Sequence, residues 1–119
     1  MNHSFPKLEK LCSALAIKQL YSNGKHFVVW PLRVTYLFAQ DSPTQVLIWA
    51  PKSLFKHATD RNRLRRQMRE AYRLNKNILE HTNIHFQLSF SYIDKEQKNY
   101  TLINNAMRKA LIRLSKYSK

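Results

Sequence analysis

The sequence predicts a single α+β domain, one sheet with helices packed on it, in the order α-β-β-β-α-β-α. Three observations carry this. Apolar residues recur at helical spacing near both ends of the chain. They alternate with polar residues at period two in Leu32–Phe38 and Phe86–Tyr92. From about Ala58 a long run follows with no Gly or Pro. Switching between periods of 3.6 and 2 is the primary signal of mixed helix and strand.

The first helix is placed over residues 8–21, where Leu8, Leu11, Cys12, Leu15 and Leu20 fall at helical spacing. Phe5-Pro6 precedes it and Asn23-Gly24 ends it, with Gly24 placed for a C-terminal cap. His26–Gln40 is rich in β-branched and aromatic residues, and Pro31 divides it into two strands or one broken strand. Asp41-Ser42-Pro43 signals a turn. Gln45–Ala50 is almost wholly apolar and reads as a central strand. Pro51 ends it, and a basic helix runs from Ala58 to about Glu80 or His81. His85–Ile93 alternates as another strand, Asp94–Asn99 is a charged loop, and a last helix spans about Leu102–Tyr117. The helices are expected to cover one face of the sheet and leave the other partly open. No repeat, linker or low-complexity tract divides residues 1–119.

The net charge of +14 is the feature that fold alone does not explain. Such an excess calls for a polyanionic partner, nucleic acid before an anionic membrane. No apolar run is long enough to span a bilayer, so no membrane association is expected. The apolar patch Leu11–Ile17 is too short and too interrupted for a signal peptide. The single Cys12 excludes an intramolecular disulfide, fits a reducing cytoplasm, and reads as a small core residue.

The basic helix concentrates this charge. On a wheel of about 100° per residue, Leu64, Met68, Ala71, Ile78 and Leu79 gather on one side. Asn62, Arg65, Arg66, Arg69, Arg73 and Lys76 gather opposite them. Charged faces usually alternate in sign, but only Asp60 and Glu70 interrupt this one. Arginine suits bidentate phosphate recognition. Asn62, between Arg61 and Arg63, adds an amide that both donates and accepts.

Catalytic groups are missing from this pattern. The seven acids, Glu9, Asp41, Asp60, Glu70, Glu80, Asp94 and Glu96, are scattered, with no pair spaced for metal or acid–base chemistry. His81 and His85 are four apart but straddle a helix end, with nothing to complete a zinc site. One glycine allows no phosphate-cradling loop.

The segment Asp60-Arg61-Asn62-Arg63-Leu64-Arg65-Arg66-Gln67-Met68-Arg69-Glu70-Ala71-Tyr72-Arg73 resembles the signature of the bacterial ribonuclease P protein subunit. The resemblance extends to the first helix with its Gly24-Lys25 end, to Ile48–Lys52, and to the final strand and helix. Pro51-Lys52-Ser53 stands where Ser-Lys-Lys is commoner, so only Lys52 carries over, and Lys56-His57 stands where Gly-Asn is usual.

The resemblance implies a fold like domain 2 of ribosomal protein S5, with a left-handed βαβ crossover, although such crossovers are normally right-handed. It implies a protein that pairs with a large catalytic RNA and helps remove the 5′ leader of precursor tRNA, in the cytoplasm. Hydrolysis, leaving a 5′-phosphomonoester, would belong to the RNA and its bound Mg²⁺, with no catalytic residue and no metal site in this chain. It implies no obligate protein partner. Lys52, Arg61, Asn62, Arg63, Arg65, Arg66, Arg69 and Arg73 would meet the RNA. Tyr21 and Tyr36 would stack leader bases in a cleft between the open sheet face and the first helix. Two other classes share the charge. A non-catalytic RNA-binding protein of ribosomal type is one. A DNA-binding module with its Arg helix in the major groove is the other, but nothing resembles a turn between two recognition helices.

Overall fold

The computed structural model describes residues 10–11, 13–39, 43–80, 82 and 84–117. The predicted order holds, with one short helix added: α1 (Ala14–Asn23), β1 (Lys25–Val29), β2 (Leu32–Ala39), β3 (Gln45–Trp49), α2 (Ala58–Asn75), α3 (Asn77–Glu80), β4 (His85–Tyr92) and α4 (Tyr100–Ser115). Pro31 does separate two strands. β1 and β2 form an antiparallel hairpin turning at Trp30-Pro31. The sheet runs β1-β2-β4-β3, with β4 antiparallel to β2 and parallel to β3. Neighbouring parallel strands need a long connection, and here it carries α2 and α3.

The core follows from the alternation of β4. Phe86, Leu88, Phe90 and Tyr92 are buried on one face, in register with Phe38, Tyr36, Val34 and Leu32 of β2. α2 covers them with Leu64, Met68, Ala71 and Tyr72, and α4 with Ile103, Met107, Ala110, Leu111 and Leu114. The two helices pack side by side, α2 over the β3 half of the sheet and α4 over the β1–β2 half. Asn75 at the end of α2 ties them together, its amide donating to the Asn104 side chain at 2.8 Å.

The opposite face stays partly open, with α1 lying against it. The Tyr21 and Ser89 hydroxyls are 2.6 Å apart, and Ser89 sits on the face of β4 away from the core. Asp94–Asn99 is likewise a built turn. The Asp94 carboxylate accepts from the Glu96 N–H at 3.0 Å and the Trp30 indole at 3.1 Å, with Lys98 at 3.4 Å. The Glu96 N–H, then Trp30 and Lys98, hold its carboxyl below the usual range against the opposing effect of burial.

Several expectations are corrected. The first helix starts at Ala14, not residue 8. The Ser13 hydroxyl caps it by accepting from the Ala16 N–H at 3.3 Å. Lys10 and Leu11 are extended instead, Lys10 bridging Val46 in parallel and the Leu11 N–H donating to the Val46 carbonyl at 2.9 Å. Leu11 is buried in that extended form, while Leu15, an expected core position, is exposed. Leu8, Cys12, Phe5-Pro6, Asp41-Ser42 and His81 lie outside the described residues. β3 is not central but at the sheet edge. Val46 and Ile48 face the core, Leu47 and Trp49 the other side, and the Lys10–Leu11 segment shields part of its outer edge. The basic helix breaks after Asn75, and Lys76, expected on the displayed face, is only 5% exposed. The last helix begins and ends two residues early, with Asn99 capping the Leu102 N–H at 2.9 Å.

Gly24 does end α1, but not through a left-handed conformation. Its φ of −74° and ψ of 156° are open to any residue, and its N–H closes the helix on the Leu20 carbonyl at 2.8 Å. Space is the constraint. A Cβ there would lie 2.9 Å from the Tyr36 carbonyl oxygen and closer still to that of Leu20. Gly24→Ala is therefore expected to cost about 1–3 kcal/mol, read as a lower urea midpoint; an unchanged midpoint would mean that α1 and β2 separate freely.

Candidate nucleic-acid interface

Two surfaces stand out, and the loop of residues 50–57 joins them. The first is the outward side of α2. Its N-terminus has no side-chain cap, since His57 makes none. Arg61 organises the preceding loop instead, donating through Nη1 to the carbonyls of Phe55 at 2.8 Å and Lys56 at 2.9 Å. This is why the unusual Lys56-His57 sequence still leads into a regular helix. Arg61 thus spends part of its donor capacity on the fold. Lys52, in the same loop, is exposed.

The remaining predicted residues are not equivalent. Arg63, Arg66 and Arg69 are exposed and free of internal partners among the described residues. Arg65 bends toward Asn62 and donates to its side-chain carbonyl, which leaves the Asn62 amide N–H groups and a second lone pair to offer. Arg73 is paired with Glu70, its Nε 3.0 Å from the carboxylate. Those hydrogen bonds hold the Glu70 carboxyl below its usual range and raise Arg73. On the helical wheel, Arg61, Arg65 and Arg69 turn toward one flank of α2 and Arg63 toward the other, where Gln67 and Tyr100 lie beside it. The single basic face read from the sequence is thus a broad arc, with Arg66 near its middle.

The second surface is a cleft between α1 and the polar face of the sheet. Two adjoining depressions of about 300 and 450 Å³ share Tyr21, Trp49 and Ser91. His26, Arg33, Thr35 and Pro51 line the first. Ile17 and Leu47 line the second. Tyr21 and Trp49 are 50% and 48% exposed, and Tyr21 is fixed by Ser89. Such half-exposed rings, beside Arg33 and His26, suit the stacking of unpaired bases next to phosphates.

Tyr36 does not share this cleft. It has the parity of Val34 and Phe38, so it points to the helix side. There its ring stacks on Tyr117 at 5.1 Å and meets Phe27, Phe38 and Phe86 edge-on or tilted. Burial, then Tyr117, raises its hydroxyl pKa. The residue that stands opposite Tyr21 is Trp49, which sequence reasoning missed. Its side is set by the pairing with β4: Val46 and Ile48 face the core, so the parity of β3 turns Leu47 and Trp49 to the other side.

No three His, Cys, Asp or Glu side chains converge among the described residues. Nor is any described helix long and apolar enough to cross a membrane.

An α+β fold that sets an arginine helix beside an aromatic cleft defines the class: an RNA-binding protein. The family model for ribonuclease P matches residues 5–115. The ribonuclease P protein component of Porphyromonas gingivalis is 34% identical over 116 residues, covering 92% of this chain and 85% of that one. That of Chlorobaculum tepidum is 36% identical over 83 residues, covering 65% and 54%. The ribonuclease P protein of Thermotoga maritima superposes with a TM-score of 0.74 at 20% identity, over 88% of this chain and 96% of that one. The Staphylococcus aureus protein gives 0.74 at 14% identity, over 91% and 95%. The chain belongs to the ribonuclease P protein family.

The different duties of the arginines can be separated. Arg61→Ala should speed amide hydrogen exchange across residues 52–57, whereas Arg66→Ala should leave exchange there unchanged. Equal exchange in both variants would remove Arg61 from its loop-holding role.

Proposed function

We propose that this protein component of ribonuclease P works as a clamp, holding the catalytic RNA on α2 and the 5′ leader of precursor tRNA in the α1 cleft. Membership of the family already makes the chain part of the ribonuclease P holoenzyme in tRNA processing. The finer assignment is supported by one observation: the two surfaces meet. Trp49 and Pro51 wall the cleft, and α2 begins at Ala58, seven residues after Pro51. Arg61 holds the intervening loop by two carbonyls, so the surfaces cannot drift apart. Two RNA strands held across so short a span are oriented relative to each other, which lowers the barrier of a reaction between them.

In this reading Lys52, Arg63, Arg66 and Arg69 bind phosphates directly. Arg61 and Arg65 position the loop and Asn62, and Arg73 contributes in company with Glu70. Tyr21 and Trp49 stack leader bases, while Arg33 and His26 take the neighbouring phosphates. Stacking accepts any base, which suits an enzyme that meets many leaders. Hydrolysis to a 5′-phosphomonoester then belongs to the RNA and its Mg²⁺, and no catalytic residue is assigned to this chain. The setting is cytoplasmic, with no membrane and no obligate protein partner.

Reconstitution with a bacterial ribonuclease P RNA at low Mg²⁺ tests the central point. Adding the protein should restore cleavage of precursor tRNA. No gain, with the protein bound to the RNA, would reduce it to an RNA-binding protein of ribosomal type. A second measurement tests the cleft. Trp49→Ala should weaken precursor tRNA by about 1–3 kcal/mol, the worth of one stacked base, with little effect on mature tRNA. Equal losses for both substrates would take the leader out of the cleft.

A further inference from the structure

α4 carries a second concentration of charge that neither surface above uses. Arg108, Lys109, Arg113 and Lys116 are all exposed, and Tyr100–Ser115 contains no acid. On the wheel these four fall within an arc of about 140°, opposite the stripe that packs on the sheet. From Arg108 to Lys116 the arc extends about 12 Å along the helix. Like charges so close disfavour the helix that carries them.

Arg113 is the most telling member. Its guanidinium carbon lies 4.1 Å from the centroid of the Phe27 ring, and its Nε donates to the Tyr117 hydroxyl at 2.7 Å. An aromatic face and a phenol hold it, not a carboxylate. Among the described residues nothing cancels its charge, its orientation is set, and both terminal nitrogens stay free. Tyr117 stacks in turn on Tyr36, and Lys25 lies opposite Tyr36 in the sheet register, adding a fifth cation at this corner. α4 covers the β1–β2 half of the sheet, so this corner lies across the domain from β3 and the start of α2.

We infer that the outer face of α4, with Lys25, is a second RNA contact that takes the phosphate backbone of a different segment of structured RNA from the one held by α2. The inference rests on the proposed pairing with the catalytic RNA. A row of cations about 12 Å long exceeds what a single small anion requires and fits successive phosphates. A bilayer surface fits less well. Leu102 and Ile112 are the apolar side chains on this arc, too few for an insertable stripe. The protein then bridges two RNA segments, and the aromatic corner that holds Tyr36 serves to aim Arg113.

The test uses the full chain and ribonuclease P RNA. Arg108→Gln, Lys109→Gln and Lys116→Gln are combined, since these side chains have no internal partners among the described residues. Binding is measured across a salt series beside an Arg66→Gln/Arg69→Gln control. The triple variant should lower the slope of log K against log salt by about two units, at roughly 0.7–0.9 per phosphate, and the two sets of losses should add. An iron chelate tethered at Lys109→Cys, in a Cys12→Ser background, should cut RNA at a place distinct from one tethered at Arg66→Cys. A normal slope in the triple variant, with the control reduced, overturns the inference and leaves the α2 assignment standing. Normal slopes in both overturn the two together. Loss of binding to phosphatidylserine vesicles alongside a normal RNA slope assigns the face to membrane and also overturns it.

Discussion

The parity of β4 is the constraint on which the rest of the structure depends. Its even-numbered residues, Phe86, Leu88, Phe90 and Tyr92, bury against α2 and α4. Its odd-numbered Ser89 and Ser91 face α1 and the cleft. β4 pairs with both β2 and β3, so this division passes to the whole sheet. A shift of one residue would place serines in the core and aromatics in the cleft. The same alternation fixes the two working surfaces. The apolar side seats the arginine helix, and the polar side carries the cleft lined by Tyr21 and Trp49.

The charge problem is solved by distribution. Glu70 is used on Arg73, and Asp94 and Glu96 hold the turn after β4 together with Lys98 and Trp30. Arg61 and Arg65 are drawn into local contacts with loop carbonyls and Asn62. Much of what remains unneutralised sits on α2 and α4, whose inward residues are buried, so packing offsets repulsion that the helices alone would not bear. Arginines of one motif therefore divide into those that shape the surface and those that present charge from it.

Much of this was legible from residue pattern. The strands around Val34 and Phe90 and the helices around Met68 and Met107 have strong periods, and burial enforces them. The misplaced features share a cause: local pattern cannot report a distant partner. Leu11 falls at helical spacing with Leu15, yet Lys10 and Leu11 pair with Val46 at the β3 edge. Gln45–Trp49 is apolar enough for a central strand, but lies at an edge shielded from outside. Tyr36 could be assigned to its strand but not to its side until the pairing with β4 was known. Trp49 was overlooked for the same reason. The basic helix was readable because its chemistry is contained within one continuous segment.

The position of β4 also bears on how the chain assembles during synthesis. The strand at the heart of the sheet is the last of the four to leave the ribosome. Until residues 85–92 emerge, β2 and β3 each present an unpaired edge toward the same gap, and the apolar side of α2 has no sheet to rest on. Pairing across such sequence distance is slow, and exposed edges invite association with other chains. The nascent protein therefore passes through a stage when its first 80 or so residues have made most of their local structure but cannot close the domain. At that stage its high positive charge, through mutual repulsion, helps keep unfinished chains apart.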